Sequence, residues 1–188
     1  MGWIFTYKAP GQSIEDFFKH RFDCVNEHGS RKILATSARL NVAYMAVELI
    51  PKGKEREVFG LVCIIKRAPS DPSYNFGYKD VDESDGPFHT ECPAKILDLL
   101  TPTDNEYALE WRKRCRENIE KAEKAKQIKV GDVVEFEAPI CFLNGDRVKR
   151  LRCFSKKPLV FTTEHETYIR YKVSGQVLRQ IPYQICRV

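Results

Sequence analysis

The chain has 188 residues, 43% of them hydrophobic and 30% charged, with a formal net charge of +5. That is enough apolar material for one substantial core or two small ones, and the sequence holds no low-complexity segment or internal repeat. No apolar run approaches the ~20 residues of a membrane span, and Met1-Gly2-Trp3-Ile4 does not open a signal peptide, so a soluble cytoplasmic protein with no membrane partner is expected.

From the start, Trp3 to Tyr7 alternates like a short strand and Ala9-Pro10-Gly11 ends it. Ser13 with Asp16 forms a capping-box variant, and Ile14, Phe17, Phe18 and Phe22 recur at helical spacing, which predicts an amphipathic helix to about Phe22. Residues 32–39 are ambiguous between strand and helix. Residues 41–50 and 57–67 are rich in β-forming types around Pro51-Lys52-Gly53-Lys54 and predict an antiparallel hairpin. The run Gly60 to Ile65 is apolar on both faces, so it belongs in the middle of a sheet covered by helices.

Ala68-Pro69-Ser70-Asp71-Pro72 breaks that sheet and leads into some two dozen residues without obvious secondary structure, anchored by Tyr74, Phe76, Tyr78 and Phe88. A short helix follows over 94–100. A long one runs over 104–126, with Thr103 as N-cap, Glu106 completing a capping box, and Tyr107, Trp111, Cys115, Ile119 and Ala122 on one face. The cluster Arg112-Lys113-Arg114-Cys115-Arg116 reads as a solvated face. From Lys129 the period becomes two: a strand from Val134 to Phe142, a hairpin turn at Asn144-Gly145, and a return through Arg147 to Phe154. A second hairpin over 159–163 and 167–173 turns at Glu164-His165-Glu166, and residues 183–188 can close the sheet. The expected fold class is α+β: an antiparallel sheet covered by helices over 1–128, and a basic C-terminal β-rich part over 129–188, a small barrel or curled sheet, either separate from the first or packed with it as one unit.

Charge follows this division. Residues 129–188 carry 11 Lys and Arg against 6 Asp and Glu, whereas residues 71–91 hold six acids against Lys79 alone. The seven cysteines are odd in number and form no CxxC pair, so they are expected as reduced thiols.

The residues Met1-Gly2-Trp3, Asn75-Phe76-Gly77-Tyr78-Lys79-Asp80-Val81-Asp82-Glu83-Ser84, Gly86-Pro87, Cys92-Pro93-Ala94-Lys95-Ile96-Leu97-Asp98-Leu99-Leu100-Thr101-Pro102-Thr103-Asp104 and Trp111-Arg112 together resemble an uncharacterised family of proteins from phages, plasmids and conjugative elements. The resemblance implies a mobile-element origin and an accessory role in the host, and carries no established chemistry. Phe88 departs from it, standing where a second cysteine is expected.

Four chemistries compete. The segment containing Asn75, Tyr78, Lys79, Asp80, Asp82, Glu83 and Asp85 supplies carboxylates for a magnesium-dependent phosphoryl-transfer centre, with Lys79 to hold a phosphate; a calcium loop there lacks its glycine. Cys24, His28, His89 and Cys92 have zinc-ligand types and spacings if two distant segments meet. The His89-x-Glu91 pair has the start of a zinc-deaminase motif without its Pro-Cys-x-x-Cys partner. Arg147, Lys149, Arg150, Arg152, Lys156 and Lys157 put six cations into eleven residues, with Phe154, Phe161, Tyr168 and Tyr171 nearby, as in a single-strand nucleic-acid surface. Strict alternation would split these cations between both faces of the strand. The leading functional expectation is therefore an accessory protein that binds a host protein of defence or replication. A nucleic-acid-binding module and a metal-dependent enzyme on the acidic loop are the alternatives.

Overall fold

Ser13 sets the first helix: its hydroxyl accepts the Asp16 N–H at 3.0 Å while its own backbone stays extended. The computed structural model describes residues 2–67, 75–163 and 168–187, and the chain divides into two compact units, Met1–Arg116 and Glu117–Val188.

The first unit contains β1 (Ile4–Thr6), α1 (Ile14–Phe22), β2 (Cys24–Asn26), β3 (Gly29–Arg39), β4 (Val42–Pro51), β5 (Glu57–Arg67), β6 (Phe76–Asp82), a 3₁₀ turn (Glu83–Asp85), α2 (Ala94–Leu97) and the first half of α3 (Glu106–Lys126). Its six strands form one antiparallel sheet in the order β1-β6-β5-β4-β3-β2. Period-two alternation aims Met45 and Val47 of β4, Leu61 and Cys63 of β5, and Phe76 and Tyr78 of β6 at one face, where Phe17, Phe18 and Phe22 of α1 join them. The rings meet edge to face, Phe18 on Tyr78 at 5.4 Å and Phe17 on Phe76 at 4.9 Å. Each such side chain removed from water stabilises the fold by about 1.5–3 kcal/mol.

Several expectations change here. Residues 76–82 of the supposed loop are an inner strand, hydrogen-bonded to β1 on one side and β5 on the other. The pairing on both edges and the burial of Phe76 and Tyr78 outweigh the poor strand propensity of Lys79, Asp80 and Asp82. The break at 68–72, with Asp71, and the anchor Tyr74 lie outside the described residues. Residues 32–39 resolve as strand, with a bulge between Ile33 and Ala35 that hides its alternation. α2 ends at Leu97 rather than residue 100. α3 starts at Glu106 because Asn105, not Thr103, caps it: Asn105 Oδ1 accepts the Ala108 N–H at 2.9 Å, and Thr103 Oγ1 accepts the Asn105 N–H at 3.2 Å. Tyr107, in the first turn, is 67% exposed, and Ala108, Trp111 and Cys115 form the buried face.

The second unit takes the rest of α3, then β7 (Val133–Cys141), β8 (Arg147–Lys156), β9 (Leu159–Thr162), β10 (Tyr171–Lys172), α4 (Gly175–Gln180) and β11 (Tyr183–Cys186). The strands form a second antiparallel sheet, β10-β9-β8-β7-β11, curled as a half-barrel over Ile128, Phe136, Leu151, Phe161 and Leu178. Its edges are β10 and β11, so the β-rich part is a curled sheet and not a closed barrel. Gly145, at φ 89°, supplies the left-handed turn between β7 and β8 that most residues resist. α4 is not expected from the periodicity; Ser174 caps it by accepting the Val177 N–H at 3.3 Å. The turn expected at Glu164-His165-Glu166 lies outside the described residues. Among the described residues no helix is long and apolar enough to cross a membrane.

Candidate functional site

The acidic segment scatters its side chains. Asn75 Nδ2 donates to the Lys8 carbonyl at 2.7 Å and its Oδ1 accepts the Lys8 N–H at 2.8 Å, so it extends the β1–β6 pairing. Tyr78 is 1% exposed, and its hydroxyl accepts from Arg21 Nε at 2.7 Å. Asp82 caps the 3₁₀ turn by accepting the Ser84 N–H at 2.9 Å. Glu83 turns inward and is 3% exposed: Oε1 accepts from Gly60 N at 3.0 Å and Arg112 Nη2 at 2.6 Å, and Oε2 accepts from Arg112 Nε at 2.7 Å. Arg112 Nη1 also donates to the Thr101 carbonyl at 2.7 Å. Arg112 is thus the centre of a buried clamp rather than part of a solvated face, because its planar fork matches the carboxylate and leaves no charge unpaired.

Trp111 completes the brace. Its Nε1 donates to the His89 carbonyl at 2.9 Å, and its ring lies on Gly60, where an added Cβ would sit 2.7 Å from Cζ3. Thr101 binds β5 at Val58 through backbone and side chain, at 2.9 Å to the carbonyl and 3.2 Å from the amide. Burial pushes the Tyr44 phenol beside this segment up to about 12.

What remains open is a cleft of about 370 Å³ that contains Lys79, Asp80, Asp85 and His89, with Phe88 90% exposed at its rim. Lys79, Asp80 and Asp85 line it, but Asp82 and Glu83 are committed elsewhere, so the four candidate carboxylates do not converge. The zinc candidates are also apart: Cys24 is on β2 and His28 in the turn after it, while His89 and Cys92 precede α2. Among the described residues no three His, Cys, Asp or Glu side chains converge. Cys92 and Cys115 are buried close to each other; burial raises both thiols, Cys115 up to about 12.

The basic strand behaves differently from its sequence pattern. Between the pairs Glu135 with Arg150 and Ile140 with Val148, β7 runs through residues 136–139 while β8 contributes Lys149 alone. The irregularity breaks the period of two. Val148 and Leu151 both face the core, and Lys149 and Arg150 between them are both exposed. Arg147 is exposed as well, and half-buried Arg152 lays its Nη1 3.5 Å from the Gly131 carbonyl. The expected split of the cations between two faces is therefore overturned, and Arg147, Lys149, Arg150 and Arg152 share the outer face of the curled sheet.

A second bulge at Phe154 continues that face. Phe154 is 46% exposed, and the Arg170 guanidinium stacks 3.2 Å from its centroid. Lys156 donates to the Lys126 carbonyl at 3.0 Å, Lys157 is exposed in the turn after β8, and Tyr168 is 75% exposed. Of the other rings near the basic strand, Phe161 and Tyr171 are core residues. Glu135 and Glu137 border the face on β7, where Glu135 accepts from Gln184 at 3.3 Å. Arg170 and Lys172 were not among the expected site residues; the signal for them was a basic pair directly before and within the strand that returns along β9.

Residues 102–176 match a family model described as a domain of unknown function (DUF6927). The match takes in α3 and β7 to β10, and so the whole basic face. No curated protein and no solved structure matches the chain.

Proposed function

We propose that the protein works by binding, and that the outer face of the curled sheet is a nucleic-acid surface. The observation that carries this is the broken alternation at Lys149 and Arg150, which leaves Arg147, Lys149, Arg150 and Arg152 on one side of one strand. Phosphates attract such a row whatever the base sequence, and the exposed Phe154 with its stacked Arg170 offers a flat surface for a base. In this reading both faces of the six-stranded sheet are closed, by α1 on one side and by α2 and α3 on the other, and binding is left to the rims. The resemblance to proteins of phages and plasmids gives this binding its setting, an accessory role in a host cell.

The test is a fluorescence titration with short single-stranded and duplex nucleic acids at two salt concentrations. It includes a variant with Arg147, Lys149, Arg150 and Arg152 changed to Ser. Binding that weakens with salt and disappears in the variant supports the proposal; equal binding by the variant ends it.

A second reading, docking of a host protein on the first unit, is favoured by a different observation. Phe88 is 90% exposed, and exposed Tyr107 lies beside Gly86 at the same end of the acidic cleft. Two exposed rings on a braced segment are the kind of anchor that protein interfaces use. Capture of a partner by the wild type and its loss in Phe88→Ser would support this reading.

A further inference from the structure

At one end of the basic face lies a cleft of about 450 Å³. Its floor is apolar, with Ile140 and Phe142 from the end of β7 facing Val173 and Val177. Phe142 is held in place by the Tyr171 ring, centroids 4.5 Å apart, and Tyr171 is fixed by its hydroxyl donating to Asp146 at 2.8 Å. Asn144 Nδ2 donates to the same oxygen, Asp146 Oδ2, at 2.6 Å, so that oxygen accepts from both side chains.

The mouth is cationic. Arg170 and Lys172 are exposed on its edge, and Arg147 donates from Nε to Cys141 Sγ at 3.4 Å just beyond the β7 end. Two of these groups also belong to the outer face, Arg147 through β8 and Arg170 through its stack on Phe154. The cleft and the basic face are therefore continuous. An apolar slot ringed by cations, at the end of a phosphate-binding row, fits a flat heterocycle carrying a phosphate. A base inside a duplex is stacked and paired and cannot enter it.

We infer that this cleft takes one unstacked nucleotide of a single strand whose backbone lies along the outer face, an inference that rests on the nucleic-acid reading above. Its base lies against Phe142, Val173 and Val177, and its phosphate is held by Arg170, Lys172 and Arg147. The consequence is a preference for single-stranded ends or loops over duplex.

Cys141 lines the cleft and is exposed, and Cys24 is exposed in the other unit, which gives a measurement with an internal control. The full chain is treated with N-ethylmaleimide alone, with a saturating oligothymidine, and with a saturating hairpin duplex. Modification of the two thiols is followed by peptide mass spectrometry. The expected result is that oligothymidine slows modification of Cys141 about tenfold, duplex slows it less than twofold, and Cys24 keeps its rate throughout. In parallel, Val177→Trp, which fills the slot, lowers oligothymidine affinity by about tenfold, the loss expected for one stacked base, and leaves duplex affinity unchanged. If oligothymidine binds and leaves Cys141 unprotected, or both nucleic acids protect it equally, the cleft is not the site, while the outer-face reading stands on the serine variant. If neither nucleic acid binds, both fall. The thiol experiment decides the matter even if Val177→Trp fails to fold.

Discussion

Arg112 grips Glu83 with two nitrogens, Nε at 2.7 Å and Nη2 at 2.6 Å, in a place where the carboxylate is 3% exposed. Removing one partner leaves the other charged and buried, so Arg112→Ala and Glu83→Ala should each cost about 3–5 kcal/mol in urea unfolding. The double variant should lose clearly less than the sum of the two. Asp85→Asn, at an exposed position of the same segment, should change stability by less than about 0.5 kcal/mol. Additive losses at Arg112 and Glu83 would mean that the clamp is not a unit.

Gly60 is required by the Trp111 ring and not by its own backbone. Gly60→Ala places a methyl 2.7 Å from Cζ3 and should cost about 1–3 kcal/mol, because the ring is also tied by its N–H to His89. Trp111→Phe, though destabilising alone, should make Gly60→Ala nearly neutral when the two are combined, as a thermal melt of the four proteins would show.

Burial raises the thiols of Cys63, Cys92 and Cys115 from their ordinary value of 9.0. In the unfolded chain they ionise near pH 9 while in the fold they stay protonated. Their contribution to stability is therefore complete below pH 9 and is lost as pH rises toward the folded values. Each thiol should steepen the alkaline loss by up to about 1.4 kcal/mol per pH unit between pH 9 and pH 12. Cys115→Ala should flatten that slope in urea titrations at pH 8, 9 and 10. An unchanged slope would mean that Cys115 ionises in the fold as readily as outside it.

On the basic strand, strict alternation would leave only one of Lys149 and Arg150 on the binding face. Since both face outward, Lys149→Ser and Arg150→Ser should each lower the slope of log affinity against log salt by about 0.7 for a single strand, the share of one phosphate contact. A change in only one of the two would contradict the shared face.

The elements that could be foreseen are those whose signals are local. The Ser13 cap and the Phe17, Phe18, Phe22 stripe gave α1, and Asn144-Gly145 gave the β7–β8 turn. The β6 strand was hidden because its stability comes from neighbours distant in sequence, β1 and β5, while its own residues Lys79, Asp80 and Asp82 resemble a solvated loop. Glu83 and Arg112 were hidden for the same reason: one stood among five other acids and one in a basic helix face, and only the fold makes them partners. The residues of the basic face were visible by composition, but their common side was not. It depends on residues 136–139 of the opposite strand, which no pattern within 147–157 records.

Both sheets end in short strands: Ile4–Thr6 and Cys24–Asn26 in one, Tyr171–Lys172 and Tyr183–Cys186 in the other. The longer strands, with the most backbone to offer, all lie inside. β2 covers only Gly29–Arg31 of β3, and along the edge beyond it Asp23 accepts the Ile33 N–H at 2.6 Å and Glu15 accepts the Ala38 N–H at 3.2 Å, so side chains occupy amides that an incoming strand would need. Side chains of the α1 region thus stand where a second copy of the sheet would have to pair with β3.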